Sequence, residues 1–157
     1  MTAPNHALTG AIIGLTVSNP ILAIIVAVAS HFVCDAIPHF DVPGKTAEDR
    51  MRSNFFLRFQ IIFGGLLCLL IVLWLALARP HHWQLAVICA FAATIPDLLY
   101  VPRYLHVKRN GRDNMNRWWF WRLHNNIQWF QRPIGALVEI VWAGGTVIIL
   151  SALTRGQ

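Results

Sequence analysis

His31 and Asp35 stand four positions apart in a stretch of otherwise apolar sequence. On a helix such an i, i+4 pair faces one side, with Cβ atoms about 5–6 Å apart, close enough for both groups to converge on one cation. Imidazole nitrogen and carboxylate oxygen are ordinary zinc ligands, and a catalytic zinc keeps one coordination position for water. His6 and Asp97, the latter in Ile95-Pro96-Asp97, also lie in or beside apolar segments. Ionisable side chains in such surroundings are costly unless partnered, which marks them as functional-site candidates. His39 follows Pro38 within reach of the same place, and His124 opens His124-x-x-x-Gln128. Glu139 is the only charge between Ile134 and Leu153. The candidate metal ligands are therefore His6, His31, Asp35, His39 and Asp97. His124 is a candidate further ligand or proton carrier, and Glu139 a candidate base or orienting group. The spacing alone leaves open a plain His–Asp hydrogen bond, and for Glu139 a neutral acid or a pair with Arg122 or Arg132.

The surrounding sequence has to place these groups in a membrane. Of 157 residues 56% are hydrophobic and 13% charged, and the mean hydropathy is +0.51, a profile unlike that of a soluble domain. Ala7–Val17 is shorter than the ~20 residues of an ordinary crossing, and Ser18-Asn19-Pro20 breaks it. Pro20 is suited to open a second helix, because its missing N–H belongs to an unsatisfied first turn anyway. Residues 4–38 thus read as a helical hairpin. Spans follow at about 56–78, 83–101 (closed by Pro102) and 134–153. Between the last two, about 114–131 reads as an interfacial helix carrying Trp118, Trp119, Phe120, Trp121, Trp129 and Phe130. The expected fold is all-α: a polytopic membrane helix bundle forming one domain over residues 1–157. No Lys or Arg precedes Lys45, so no signal peptide is expected. Cys34, Cys68 and Cys89 lie in apolar runs and read as buried thiols.

In a hairpin turning near Asn19, His6 stands at the depth of His31. The face His6-Gly10-Gly14-Ser18 is expected to meet Ala23-Ala27-His31-Asp35, since small residues let helices approach closely in lipid. If the hairpin returns to its starting side, eleven of thirteen Lys and Arg share that side, leaving Arg79 and Arg155 opposite. The positive-inside bias then makes the N-terminus and the basic loops cytoplasmic. The net charge of +6 is thereby accounted for without nucleic acid. Membrane lipids are the expected partners, with a homo-oligomer left open. Arg103, Arg122 and Arg132 are candidate phosphate-binding groups, guanidinium matching phosphate with paired hydrogen bonds. His81, His82 and His106 read as solvated interface residues.

The segments Pro4-Asn5-His6-Ala7-Leu8-Thr9-Gly10-Ala11, Ser30-His31-Phe32-Val33-Cys34-Asp35-Ala36-Ile37-Pro38-His39-Phe40-Asp41 and Ile95-Pro96-Asp97 resemble the YdjM-like membrane-bound, metal-dependent hydrolases. These are small bacterial inner-membrane proteins with relatives in candidate-phylum bacteria. The resemblance covers the first forty residues well and the rest loosely. It implies that His6, His31, Asp35 and Asp97 bind a divalent metal, zinc first, as one or two ions. The His-Arg-Gly-x-Thr-His run of many members is absent, and Gln128 stands where a carboxylate would complete a second His-x-x-x-Asp/Glu pair. The expected function is a membrane-embedded metal-dependent hydrolase of the bacterial cytoplasmic membrane. It would cleave a phosphoester or related bond of a lipid or amphiphile at the cytoplasmic leaflet. The alternative is a non-catalytic membrane protein with a structural metal or polar site, acting as scaffold, lipid binder or partner subunit. Transport ranks last, because the outer halves of the spans carry no second polar cluster.

Overall fold

A computed structural model describes residues 1–40, 55–110, 118–128 and 134–155. The described residues are almost wholly helical: α1 (Ala3–Thr16), α2 (Pro20–Ala36), α3 (Phe55–Ala78), α4 (Trp83–Leu98), α5 (Tyr100–Asn110), α6 (Trp119–Ile127) and α7 (Gly135–Arg155). Three stretches are long and apolar enough to cross a membrane: Leu57–Ala78 with 22 residues, Trp83–Asn110 with 28 and Gly135–Arg155 with 21. α2 is a shorter apolar helix. The molecule carries large apolar side chains on its outside, with Ile21, Phe55, Leu77, Val141 and Ile148 all 71–83% exposed. So much exposed hydrocarbon suits lipid contact rather than water. The three cysteines are free.

The opening hairpin forms for the reasons its sequence gives. Asn19 caps α2, its Oδ1 accepting from Leu22 N–H at 3.0 Å, and Pro20 occupies the first turn. The helix stops at Ile37, whose extended backbone (φ −78°, ψ 150°) is what a residue before proline prefers. Pro102, in contrast, does not end its helix. The chain turns at Leu99 and resumes as α5 from Tyr100, which puts Pro102 in a first turn, where its lack of an N–H costs nothing. Pro96 likewise lies inside α4, which continues to Leu98. Of the segment expected at 114–131, the structure gives α6 as a helix of nine residues; Trp129, Phe130 and Arg132 lie outside the described residues. Asp41 lies outside them as well.

The small-residue seam is real, but its partner differs from the one expected. A Cβ on Gly10 would overlap the Cys89 carbonyl, and one on Gly14 the backbone of Ala86, so both glycines press on α4. Ala23 and Ala27 of α2 pack against Cys89, Ala92 and Ala93 of the same helix. α4 therefore sits between the arms of the hairpin along a face of Ala and Cys. Two small faces were read as facing each other, yet each fits a third helix of the same kind. A second core joins Leu8, Ala11 and Leu15 of α1 to Ile71 and Leu75 of α3 and Leu150 of α7.

Candidate metal centre

α2 carries His31 and Asp35 one turn apart, α4 brings Asp97, and α6 brings His124, so that one ligand atom from each lies within 4.8 Å of all the others. His31 Nε2 is 3.2 Å from Asp35 Oδ2 and 3.2 Å from His124 Nε2. His124 Nε2 is 3.1 Å from Asp35 Oδ2, and Asp97 Oδ1 is 3.9 Å from His31 Nε2. His6 joins from α1: its ring stacks on His31 at 4.0 Å, and its Nε2 is 3.1 Å from Asp35 Oδ1 and 4.0 Å from Asp97 Oδ2. The level placement of the two histidines in the hairpin is thus realised. The Met1 ammonium also contacts Asp35 Oδ1.

The proton on His31 can be placed by elimination. His31 Nδ1 faces the Ala93 carbonyl at 2.9 Å, and a carbonyl only accepts, so Nδ1 carries the proton. Pro96 has no N–H to give the Ala92 carbonyl, so the α4 ladder is interrupted beside this acceptor. With Nδ1 protonated, His31 turns Nε2 toward the carboxylate and the second imidazole. This is the arrangement that fixes a metal-ligating histidine, its other nitrogen held by a carbonyl. His31 Nε2, His124 Nε2 and Asp35 Oδ2 then form a triangle 3.1–3.2 Å on a side, in which His31 Nε2 and Asp35 Oδ2 accept. A proton on His124 Nε2 bridges these acceptors, and a divalent cation could take that proton's place. The donor set, nitrogen and oxygen without sulfur, suits zinc and other divalent ions.

Burial makes the requirement stringent. His6, His31 and Asp35 have no exposed surface and His124 has 1%. Phe32 edges onto His31 at 5.3 Å, and Phe32, Tyr100 and Phe120 surround His124 at 6.1–6.4 Å. His6 Nδ1 and His124 Nδ1 are buried without a hydrogen-bond partner among the described residues. Buried polar atoms are normally satisfied, so these two nitrogens stand out. Asp97 alone of the four is open, its side chain 30% exposed. It shares with His124 and Gln128 the wall of a cavity of about 860 Å³.

Other expected site residues lie elsewhere. The Glu139 carboxylate accepts from Thr2 N–H at 3.1 Å, Asn5 Nδ2 at 3.4 Å and Phe40 N–H at 3.1 Å. It anchors the start of α1 and the chain after α2 to α7, and it is not one of the four converging groups. His39 is buried beside Gly135, and its Nδ1–H donates to the Ile37 carbonyl at 2.8 Å. It borders the cavity but is not one of the four converging groups. Arg103 is wholly buried with its guanidinium 4.9 Å from the Tyr100 ring and 5.3 Å from Trp121. Those contacts tie α5 to α6. Arg122 lies on the exposed side of α6, away from Trp121 and His124, which turn inward. Arg132 is outside the described residues.

Two contributors carried little sequence signal. Gln128 Nε2 donates to Asp35 Oδ2 at 3.0 Å and lies 3.2 Å from His124 Nε2. It had stood out only as an amide in place of an acid. The Ala93 carbonyl is invisible to residue type; Pro96 three residues on was its one signal. In comparisons with known proteins the chain matches no family model, no curated protein and no solved structure.

Proposed function

We propose that this chain is a membrane-embedded, metal-dependent hydrolase that cleaves a phosphoester or related bond of a lipid or amphiphile, and that it is akin to the YdjM-like proteins its first forty residues resemble. Supporting this is one observation above the rest: the buried His/Asp cluster opens through Asp97 onto a cavity. The open side, formed by Asp97, His124 and Gln128, faces a cavity large enough for a substantial ligand. A bound divalent ion, zinc being the first candidate, supplies a water of lowered pKa and polarises the scissile group.

The residues around it divide the work by position. His31, fixed through Ala93, and Asp35, fixed by Gln128, present immobile donors. Asp97 stands at the boundary of cluster and cavity, where an incoming water and substrate meet. His124 reaches Asp35 through Nε2 and lines the cavity, so it would hold the ion on the side where substrate enters. The Phe32, Tyr100 and Phe120 rings keep bulk water from the far side of His124.

A structural site is the second reading. Asp35 already has partners on both oxygens, Met1 and His6 on one and His31, His124 and Gln128 on the other. The test is to purify the protein in detergent, measure bound metal, and assay phospholipid hydrolysis for wild type, His31→Ala and Asp35→Ala. Metal and hydrolysis in wild type, both lost in the variants, are expected. Metal that falls in the variants with no hydrolysis in any form would establish the structural reading, and a wild type without metal would defeat both.

A further inference from the structure

The cavity beside the cluster runs on into the hydrocarbon. Its far wall is the first half of α3, where Phe59 and Phe63 stack at 5.3 Å and Gly64 and Gly65 follow. A second cavity of about 390 Å³, lined by Leu69, Val72, Val87 and Ile88 among others, shares Cys68, Phe91 and Thr94 with the first. The two thus form one track between α3 and α4. From Asp97 to Val87 is ten residues, ~15 Å along a helix at ~1.5 Å per residue. That is about half of a hydrocarbon core ~30 Å thick, the reach of one leaflet.

The track has a cause in the packing. α3 joins the bundle through Ile71 and Leu75, while earlier on the helix Phe59, Ile62 and Phe63 remain 48–65% exposed. Glycine is a poor helix former, so a Gly-Gly pair in an apolar helix calls for a reason. Close packing does not supply one: a Cβ on Gly65 would meet nothing within 4 Å, and one on Gly64 only Pro4 at 3.6 Å. The pair leaves width in the cavity wall. At the polar end, Gln60 Oε1 is buried with no hydrogen-bond partner among the described residues and borders the same cavity. An acceptor there needs a hydroxyl or amine donor.

We propose that this track holds one hydrocarbon chain of a membrane phospholipid, lying between α3 and α4 with its headgroup at Asp97, His124, Gln128 and Gln60. The lipid reaches the site sideways from the bilayer, and a water-soluble phosphoester lacking the chain is not a substrate. The inference rests on the proposed hydrolase in taking that lipid as substrate; the seat itself is independent of turnover.

The test uses the full chain in nanodiscs of phosphatidylethanolamine and phosphatidylglycerol, with a trace of phosphatidylglycerol bearing a diazirine midway along one acyl chain. After irradiation, adducts are mapped by peptide mass spectrometry. Adducts at Cys68, Phe91 and Thr94 are expected to exceed those at Val141 and Ile148, on the outer face of α7, by at least fivefold. Gly65→Phe, which fills the track, is expected to remove that excess, and Gly145→Phe, also in open space but outside the track, to keep it. If Gly65→Phe does not fold, Thr94→Leu takes its place with the same expectation. Even labelling of the track and α7, or an excess that survives filling, would overturn the proposal. Track labelling without hydrolysis would leave the seat standing and remove the hydrolase; hydrolysis with even labelling would do the reverse.

Discussion

The seam where α1, α2 and α4 meet and the gap where α3 leans away from them are made of different materials. In the seam, Gly10, Gly14, Ala23 and Ala27 bring backbones into contact with Ala86, Cys89 and Ala93. In the gap, Phe59 and Phe63 stand off the bundle and two glycines leave space unfilled. Helices that touch at the backbone exclude lipid and water, and the polar cluster lies at the end of that dry seam. A helix face that leaves its glycines unpacked leaves a track for something else. The difference indicates that residue size along a helix face, more than hydrophobicity, separates the part of the molecule that holds a charge from the part that admits a ligand.

Breaking the seam end should have the largest effect. Asp35→Ala leaves His6, His31 and His124 buried with only Asp97, 3.9–4.0 Å from His31 and His6, as a carboxylate; removing one partner of a buried charged pair costs about 3–5 kcal/mol. Thermal unfolding in detergent would show it as a large fall in Tm, with bound metal lost. Next, Gly10→Leu forces a side chain into the Cys89 carbonyl. Overpacking of this kind costs about 1–3 kcal/mol, whereas Gly144→Leu, in open space on α7, should change the same unfolding curve by less than about 0.5 kcal/mol. Gln128→Ala removes the amide that holds Asp35 Oδ2. Loss of such a supporting hydrogen bond weakens metal sites by about 10–100-fold, so a chelator competition should shift by that factor while Tm hardly moves. The smallest effect belongs to Trp142→Phe, which deletes the indole donor 3.0 Å from Thr9 Oγ1. An interhelical hydrogen bond in a membrane is worth ~0.6 kcal/mol, and the change should leave metal content intact.

What could be read from the sequence follows the reach of each signal. The long spans appear as run lengths and the hairpin as Asn19-Pro20, because both depend on local chemistry. His31 and Asp35 were legible as a pair since a single helix fixes their spacing. His6 and Asp97 were legible because burying an ionisable group is costly wherever it occurs. The choice of α4 as partner for Gly10 and Gly14 was hidden, since small faces are interchangeable until the fold selects among them. The partners of Glu139 were hidden because they include the backbone N–H groups of Thr2 and Phe40, which leave no mark on residue type. Pro102 was read as a stop because proline suits a helix end and a first turn equally well. Arg103 resembled a phosphate ligand by composition, and only the fold could show that Tyr100 and Trp121 stack on it.

The proposed chemistry depends on one divalent ion held by His31, Asp35, Asp97 and His124. X-ray absorption at the metal edge, on protein purified in detergent and loaded with zinc, tests it most directly. The expected spectrum has only nitrogen and oxygen neighbours at ~2.0–2.2 Å with imidazole scattering, and the imidazole signal falls in His31→Ala and His124→Ala. A sulfur neighbour at ~2.3 Å, or imidazole scattering unchanged in both variants, would contradict it.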